Sequence, residues 1–439
     1  MDEKNSFRRF LILNVSQSIS LVGSGLTDFA LSYYILQGVM KSGGQISQYT
    51  ILYFIMYLPG IIVAPFIGTL VDRSNKKYIL VASDTIAAVG SLAILLVYMH
   101  DRLQIGHIYA VVLIKALASA FQTPSFQASI SILVAKKDYG KAVGLAQVGE
   151  AVNRIISPLL AGILFYYTSL EIIIIIDLVC YFIAFILIAP CRMAQLKVKQ
   201  EKMKLWFLKD CRMGFEVLKK DKLLVSLLGL FVFNNFLISV IQVLVQPLVY
   251  VMNEQNGTLI SNSLALGIVM TCGGVGMMIS SIIMGITGGP QNRISAILIF
   301  NGCGGLILMA VIVVKSVLLF AVGTLLYFLT IPFILGSNIT IWQARVPVEH
   351  QGKVFSIRRA CVLGVTPFSS LIAGAVADCM HHYYDRLSFL HGIVNSANGI
   401  YALLFFFAGF ITLFISVLFK FDRNFKGYHR ELKGGLENG

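Results

Sequence analysis

A chain of 439 residues that is 57 % hydrophobic and only 13 % charged, with a mean hydropathy of +0.80, cannot hide its apolar side chains in a soluble fold; ordinary soluble domains carry about 25 % charged residues. This excludes a soluble enzyme, a disordered chain and a disulfide-stabilised secreted scaffold, and leaves an integral membrane protein. The 35 Lys and Arg against 21 Asp and Glu give a net charge of +14, which fits nucleic acid or an anionic lipid surface as partner until the positions of the charges are considered.

About 20 mainly apolar residues suffice for a helix to cross the hydrocarbon core. In chain order the sequence predicts such spans at 9–38, 48–70, 78–99, 106–134, 142–167, 170–190, 223–252, 263–287, 294–314, 317–343, 354–379 and 396–420, which makes twelve. Only Lys315 and Ser316 divide the ninth from the tenth. The runs are too long and too continuous for a β-barrel, whose strands alternate with period two. The first is too long for a signal peptide and no small-residue cleavage site follows it.

Lys and Arg set the orientation. With the N-terminus inside, 29 of them fall in cytoplasmic segments and four, Lys41, Arg102, Lys315 and Arg386, in outer loops. The bias predicts a multi-pass protein of a bacterial-type plasma membrane with both termini cytoplasmic. It also removes nucleic acid as a partner and leaves the bilayer. The longest connection, 191–222, carries ten basic residues together with Trp206 and Phe207. It reads either as a helix lying on anionic inner-leaflet lipids or as a solvated linker. The organisation is therefore a six-helix bundle over 1–190, a cytoplasmic basic linker over 191–222, a second six-helix bundle over 223–420 and a cytoplasmic tail over 421–439.

The two halves echo each other. At an offset of 212, Gly140-Lys141 falls on Gly352-Lys353, Ser157 on Ser369, Leu159 on Leu371 and Ala161-Gly162 on Ala373-Gly374. At an offset of 217, Gly68 falls on Gly285, Asn75 on Asn292 and Lys76 on Arg293. A direct repeat of six spans predicts two bundles related by a pseudo-two-fold axis along the membrane normal, around a central cavity. The fold class is thus an all-α membrane protein of twelve transmembrane helices.

Between the second and third spans the chain reads Gly68-Thr-Leu-Val-Asp72-Arg73-Ser-Asn75-Lys76-Lys77. This resembles the signature loop of the major facilitator superfamily, G-x-L-x-D-R-x-G-R-R/K, with Asn75 where glycine is usual. Span 4 ends Phe121-Gln-Thr-Pro124-Ser-Phe-Gln-Ala128, span 6 reads Ile176-Asp177-Leu-Val-Cys-Tyr-Phe182, and the 10–11 loop reads Gln351-Gly352-Lys353-Val354-Phe355. Together these resemble the macrolide-efflux-like, drug:proton antiporter branch. Span 5 keeps Pro158 and Gly162 of the antiporter pattern, with Asn153, Ser157 and Ala161 in place of three glycines. Lys115 stands where many members have an arginine in span 4. The resemblance implies a secondary transporter working by alternating access. It implies a cytoplasmic gate at Gly68, Asp72, Arg73, Lys76 and Lys77, with Asp72 docking on the start of span 11.

An ionisable group within a span is costly and belongs inside the bundle. Asp28 shares a helix face with Asn14 and Gln17, and Asn235, Gln242 and Gln246 share one on the repeat-related span 7. In the family these spans line the cavity, so the five uncharged residues, Asn14, Gln17, Asn235, Gln242 and Gln246, become candidate substrate contacts. Asp28 is the first candidate for coupling, because a carboxyl among apolar groups can cycle a proton. Glu150 and Arg154, four apart, can pair within span 5. Lys115 can compete for Glu150 or reach Asp177. These five, Asp28, Lys115, Glu150, Arg154 and Asp177, are the candidate coupling residues, and Asp84 is assigned to the cytoplasmic latch.

No G-x-x-x-x-G-K-[ST] loop is present, and the seven cysteines show no metal spacing, so neither a cofactor nor a metal is expected. The outer-loop cluster His381-His382-Tyr-Tyr-Asp385 misses the acyltransferase spacing. The sequence thus describes a monomeric, non-enzymatic transporter of small molecules. Its expected activity is proton-coupled efflux of lipophilic or amphipathic compounds, macrolides and other drugs among them. Uptake or lipid movement on the same fold, or a non-transporting receptor, are the alternatives.

Overall fold

The computed structural model describes residues 3–135, 138–191, 215–255, 260–384 and 397–421. Of these, only the backbone is described at 3–6, 64–73, 348–350, 352–353, 383–384 and at 131, 139, 140 and 143. Among the described residues there is no strand. The helices are α1 (Glu3–Ser42), α2 (Ile46–Arg73), α3 (Lys76–Met99), α4 (Ile105–Leu133), α5 (Tyr139–Tyr167) and α6 (Leu170–Ile188). They continue as α7 (Lys222–Gln255), α8 (Asn262–Thr287), α9 (Arg293–Ala310), α10 (Val317–Arg345), α11 (Val348–Gly364), α12 (Thr366–Tyr384) and α13 (Ala397–Phe421). Among the described residues, twelve stretches are long and apolar enough to cross a membrane. At 24 residues, α3 is about 36 Å long.

Two boundaries have local causes. A 3-10 turn over Val311–Val313 ends α9, and Ser316 precedes α10, so the brief polar interruption does separate two helices. The span predicted at 354–379 is one candidate crossing, Val354–His382, whose helix is interrupted at Val365, between α11 and α12. Pro367 explains the break: its ring cannot continue the preceding helix, and it sits in the first turn of the next, where its missing N–H is not needed. Pro124, Pro158, Pro247 and Pro332 lie inside helices.

The chain divides into two compact units. One is Met1–Lys202 with Ile260–Thr271, the other Met203–Leu259 with Cys272–Gly439, so α8 contributes to both. The first unit has a core of Phe10, Leu13, Leu80, Ile130, Leu133 and Ile188. The second gathers Leu227, Leu230, Phe231, Ile297, Ile334 and Ile341. Apolar side chains also face outward in numbers, with Ile286 81 % and Ile186 68 % exposed. Lipid is as apolar as leucine, so helix association depends on close packing and polar contacts rather than on water exclusion. Glycine supplies the packing: a Cβ on Gly409 would stand 2.5 Å from the Gly305 carbonyl oxygen, and one on Gly162 would stand 2.6 Å from that of Ser263.

The repeat register is visible in two helix starts. Asn75 caps α3 by accepting from the Lys77 amide, and Asn292 caps α9 by accepting from the Ser295 amide. The two asparagines are the pair matched at the offset of 217.

Candidate ion-coupling site

The polar residues of the first unit converge from α1, α3, α4 and α6. Each of these helices is mostly apolar, so its few polar side chains turn toward one another. Lys115 on α4 is 8 % exposed, and its Nζ stands 3.0 Å from Asp28 Oδ1 on α1 and 3.9 Å from Asp177 Oδ2 on α6. Asp177 is equally buried, whereas the Asp28 side chain is 37 % exposed. The hydroxyls of Thr27 and Ser91 each donate to Asp177 Oδ2 at 2.8 Å. Gly23 lies directly against Asp177 and Cys180, and this close approach sets α1 on α6. One lysine therefore serves two carboxylates, and four helices share the cluster.

A second polar cluster forms on the same helices. Asp84 on α3 accepts from Ser20 Oγ at 2.7 Å, Gln17 Nε2 at 3.0 Å and Gln122 Nε2 at 2.7 Å. Gln122 Nε2 also donates to Gln17 Oε1 at 3.0 Å.

The structure brings together Asp28, Lys115 and Asp177 of the five coupling candidates. Glu150 and Arg154 are both exposed on α5, and the expected pair does not form among the described residues. Lys115 takes Asp28 and Asp177 instead of Glu150, whose side chain is exposed on α5. Asn153 and Ser157, which replace family glycines, bond each other at 2.6 Å, and Ser157 also donates to the Val22 carbonyl at 3.2 Å. Their polar groups thereby fasten α5 to α1 beside Gly25.

The polar stripes are more engaged than a cavity-facing stripe would be. Gln17 is 4 % exposed and held by Asp84 and Gln122. Asn14 donates to the Leu145 carbonyl at 3.5 Å. Asn235 donates to the Val362 carbonyl at 2.6 Å and to Thr366 Oγ1 at 3.0 Å, across the break between α11 and α12. Gln246 is buried, while Gln242 on the same helix is exposed. Asp84, assigned from sequence to the latch, instead ties α1, α3 and α4 together.

A scan against protein families matches the Major Facilitator Superfamily over residues 13–370. The chain belongs to the major facilitator superfamily. It is accordingly a multi-pass membrane transporter with a small-molecule substrate, and not an enzyme. Macrolide efflux protein A of Streptococcus pyogenes is 27 % identical over 383 residues, covering 86 % of this chain and 92 % of that protein. Macrolide efflux protein A of Enterococcus faecalis is 28 % identical over 303 residues, covering 69 % and 92 %. The crystal structure of nucleoside transporter NupG shares the fold with a TM-score of 0.71, at 12 % identity over 94 % of this chain and all of that one.

Of the superfamily signature loop, Gly68, Asp72 and Arg73 lie outside the residues whose side chains are described. Lys76 is buried and donates to the Ser74 carbonyl at 3.2 Å. Lys77 donates to the Ala189 carbonyl at 2.6 Å, just beyond the end of α6, where free carbonyls attract a cation. Residues 192–214, with Trp206 and Phe207, and Asp385 of the outer cluster also lie outside the described residues. His381 belongs to α12 and its Nε2 lies 3.2 Å from the Tyr401 hydroxyl.

Sequence reasoning did not single out Thr27, Ser91, Ser20 or Gln122 as site residues. A signal was present: Ser20 and Thr27, Asp84 and Ser91, and Lys115 and Gln122 are each seven residues apart, two turns on one helix face.

Proposed function

We propose that this transporter exports lipophilic or amphipathic small molecules, macrolide-like in class, in exchange for protons. The observation that carries the reading is Lys115 standing between Asp28 and Asp177, with Asp28 the more exposed of the two carboxylates. A proton arriving at Asp28 neutralises it and weakens its hold on Lys115. The ammonium then has one charged partner left, Asp177, 3.9 Å away and already fixed by Thr27 and Ser91. A shift of this kind changes the contacts of α4 with α1 and α6, the local event from which a change of access can grow. The resemblance to two macrolide efflux proteins supports the export direction and the substrate class.

On this reading both termini face the cytoplasm of a bacterial-type plasma membrane, in accord with the 29-to-4 sorting of Lys and Arg. Asp72 and Arg73, with Gly68, Lys76 and Lys77, form the cytoplasmic gate. Anionic inner-leaflet lipids are the proposed partner of the bilayer-embedded chain, and the working unit is a monomer. Asn14 of the first unit and Gln242 of the second, the least buried of the stripe residues besides Asn235, are the proposed polar contacts to the substrate, while Gln17 and Gln246 are buried and Asn235 is bonded across α11 and α12.

The test is efflux of a compound panel from proteoliposomes, with and without a proton gradient. Export should stop when the gradient is collapsed and in Asp28→Asn, with the amount of folded protein unchanged. Gradient-independent export, or an Asp28→Asn protein as active as the parent, would overturn the reading.

A further inference from the structure

The two polar clusters of the first unit are stacked in register. Thr27, Ser91 and Lys115 belong to one; Ser20, Asp84 and Gln122, each seven residues away on the same helices, belong to the other. Two helical turns separate them by about 10.5 Å along the helix axes. The layers differ in charge. The first holds a lysine between two carboxylates. The second holds a buried carboxylate, 8 % exposed, whose bonded partners are a hydroxyl and two amides.

No Lys, Arg or His among the described residues pairs with Asp84. The groups that face it are Gln17 and Ser20 from α1, Gln122 from α4, and from α6 the carboxylate of Asp177 in the next layer, a like charge. Lys115 of α4 and Asp28 of α1 belong to that next layer and neutralise each other. Tyr181 of α6 is held by Thr85, beside Asp84. A buried charge without a counter-ion is costly, and three hydrogen bonds offset the cost only in part.

The second unit contains its own control. At the offset of 217, Gln17 falls on Asn234 and Asp84 falls on Asn301, nine residues after the capping asparagine in both cases. Asn301 Nδ2 donates to Ser416 Oγ at 2.8 Å and reaches Asn234 Oδ1 at 3.4 Å. The same crossing is therefore built with an amide where the first unit has a carboxyl. Architecture alone does not require the ionisable group.

We propose that Asp84 is a second proton-binding site of the first unit, caged by Gln17, Ser20 and Gln122 and separate from the Lys115 cluster. The cage suits both states of the carboxyl. When Asp84 is ionised, Ser20 donates to Oδ1. When Oδ1 carries the proton, that O–H donates to Ser20 Oγ over the same 2.7 Å. A helical serine can turn its own hydrogen to the carbonyl one turn back. No heavy atom has to move. A monovalent metal ion, by contrast, would require both glutamine amides to turn their oxygens inward and the cluster to widen. The part Asp84 plays in coupling rests on the proton-exchange reading above; the binding of its proton does not.

Infrared spectroscopy of the purified protein in vesicles, titrated from alkaline to acid pH, tests the site. The parent should gain protonated-carboxyl carbonyl intensity on acidification, and Asp84→Asn should lose one carboxyl's share of it. Asn301 shows that this fold tolerates the amide, and the thermal unfolding midpoint checks folding. Ser20→Ala, which keeps the carboxyl but removes its exchange partner, should shift the midpoint of the same band. If Asp84→Asn folds poorly, the Ser20→Ala shift decides. Intensity that neither variant alters, or a band that responds to sodium at constant pH instead, overturns the proposal. In transport, Asp84→Asn should lower the protons exchanged per substrate by one while Asp28→Asn stops export. If export ignores the proton gradient, the coupling reading fails while the infrared titration still judges Asp84.

Discussion

Lys115 and Gln122 stand two turns apart on one face of α4, and each is committed to a different carboxylate. The lysine holds Asp28 at 3.0 Å and the glutamine holds Asp84 at 2.7 Å. A single helix thereby governs both ionisable layers of the first unit, and its movement cannot alter one without bearing on the other.

Removing the lysine should be more damaging than removing the whole ion cluster. Lys115→Met leaves Asp177 buried and unpaired, at a cost of about 3 kcal/mol. The exposure of Asp28 keeps the loss toward the low end of the range for buried pairs. Adding Asp28→Asn and Asp177→Asn to Lys115→Met should recover most of the stability and none of the transport. Thermal unfolding in detergent micelles reads the first effect and proteoliposome efflux the second. A Lys115→Met protein as stable as the parent would contradict the ion cluster.

Close helix crossings should resist even one methyl group. Gly409→Ala places a Cβ against the Gly305 carbonyl and should destabilise by about 1–3 kcal/mol. Gly38→Ala in α1 meets nothing within 4 Å and should be neutral or gain up to about 1 kcal/mol from helix propensity. The unfolding midpoints of the two variants should therefore move in different directions or by very different amounts.

The break between α11 and α12 is fastened by one side chain. Asn235→Leu removes the bonds to Val362 and Thr366 and should cost about 1–2 kcal/mol. A double-mutant cycle with Thr366→Val should show coupling of at least about 0.5 kcal/mol. Additive effects would mean that the bond to Thr366 contributes nothing.

Asp221 has two jobs at the start of α7. It accepts from the Leu223 amide at 2.9 Å, and its other oxygen meets Arg345 Nε at 2.6 Å. Asp221→Asn keeps the cap and loses the charge pair, so a loss of about 0.5 kcal/mol is expected for these half-exposed groups. Asp221→Ala loses both, at about 1–2 kcal/mol. Equal unfolding midpoints for the two variants would refute the separation of roles.

Much of the fold was legible because the bilayer imposes a coarse rule, about 20 apolar residues per crossing. Even the weak division at Lys315 and Ser316 held. The break at Val365 was not read, since a proline inside an apolar run signals a bend or a break equally well. Within the site, Asp28, Lys115 and Asp177 stood out because charges are rare in spans. Their pairing did not, because a sequence gives the height of a residue on its own helix but not which helix faces it. Glu150 was as plausible a partner for Lys115 until α5 was seen to leave it exposed. Ser20, Ser91 and Gln122 were hidden by their ordinariness: neutral polar residues are common in spans, and only the shared spacing of seven marks these.

The replacement of Asp84 by Asn301 in the repeat has an electrical consequence. The two stacked layers of the first unit hold Asp28, Asp84, Lys115 and Asp177, while the matching cluster of the second holds the uncharged Asn234, Asn301 and Ser416. A membrane potential does work only on charge, at about 2.3 kcal/mol per elementary charge across 100 mV. Voltage thus gains its purchase on these layers through the first unit, while the matching cluster of the second offers it only dipoles.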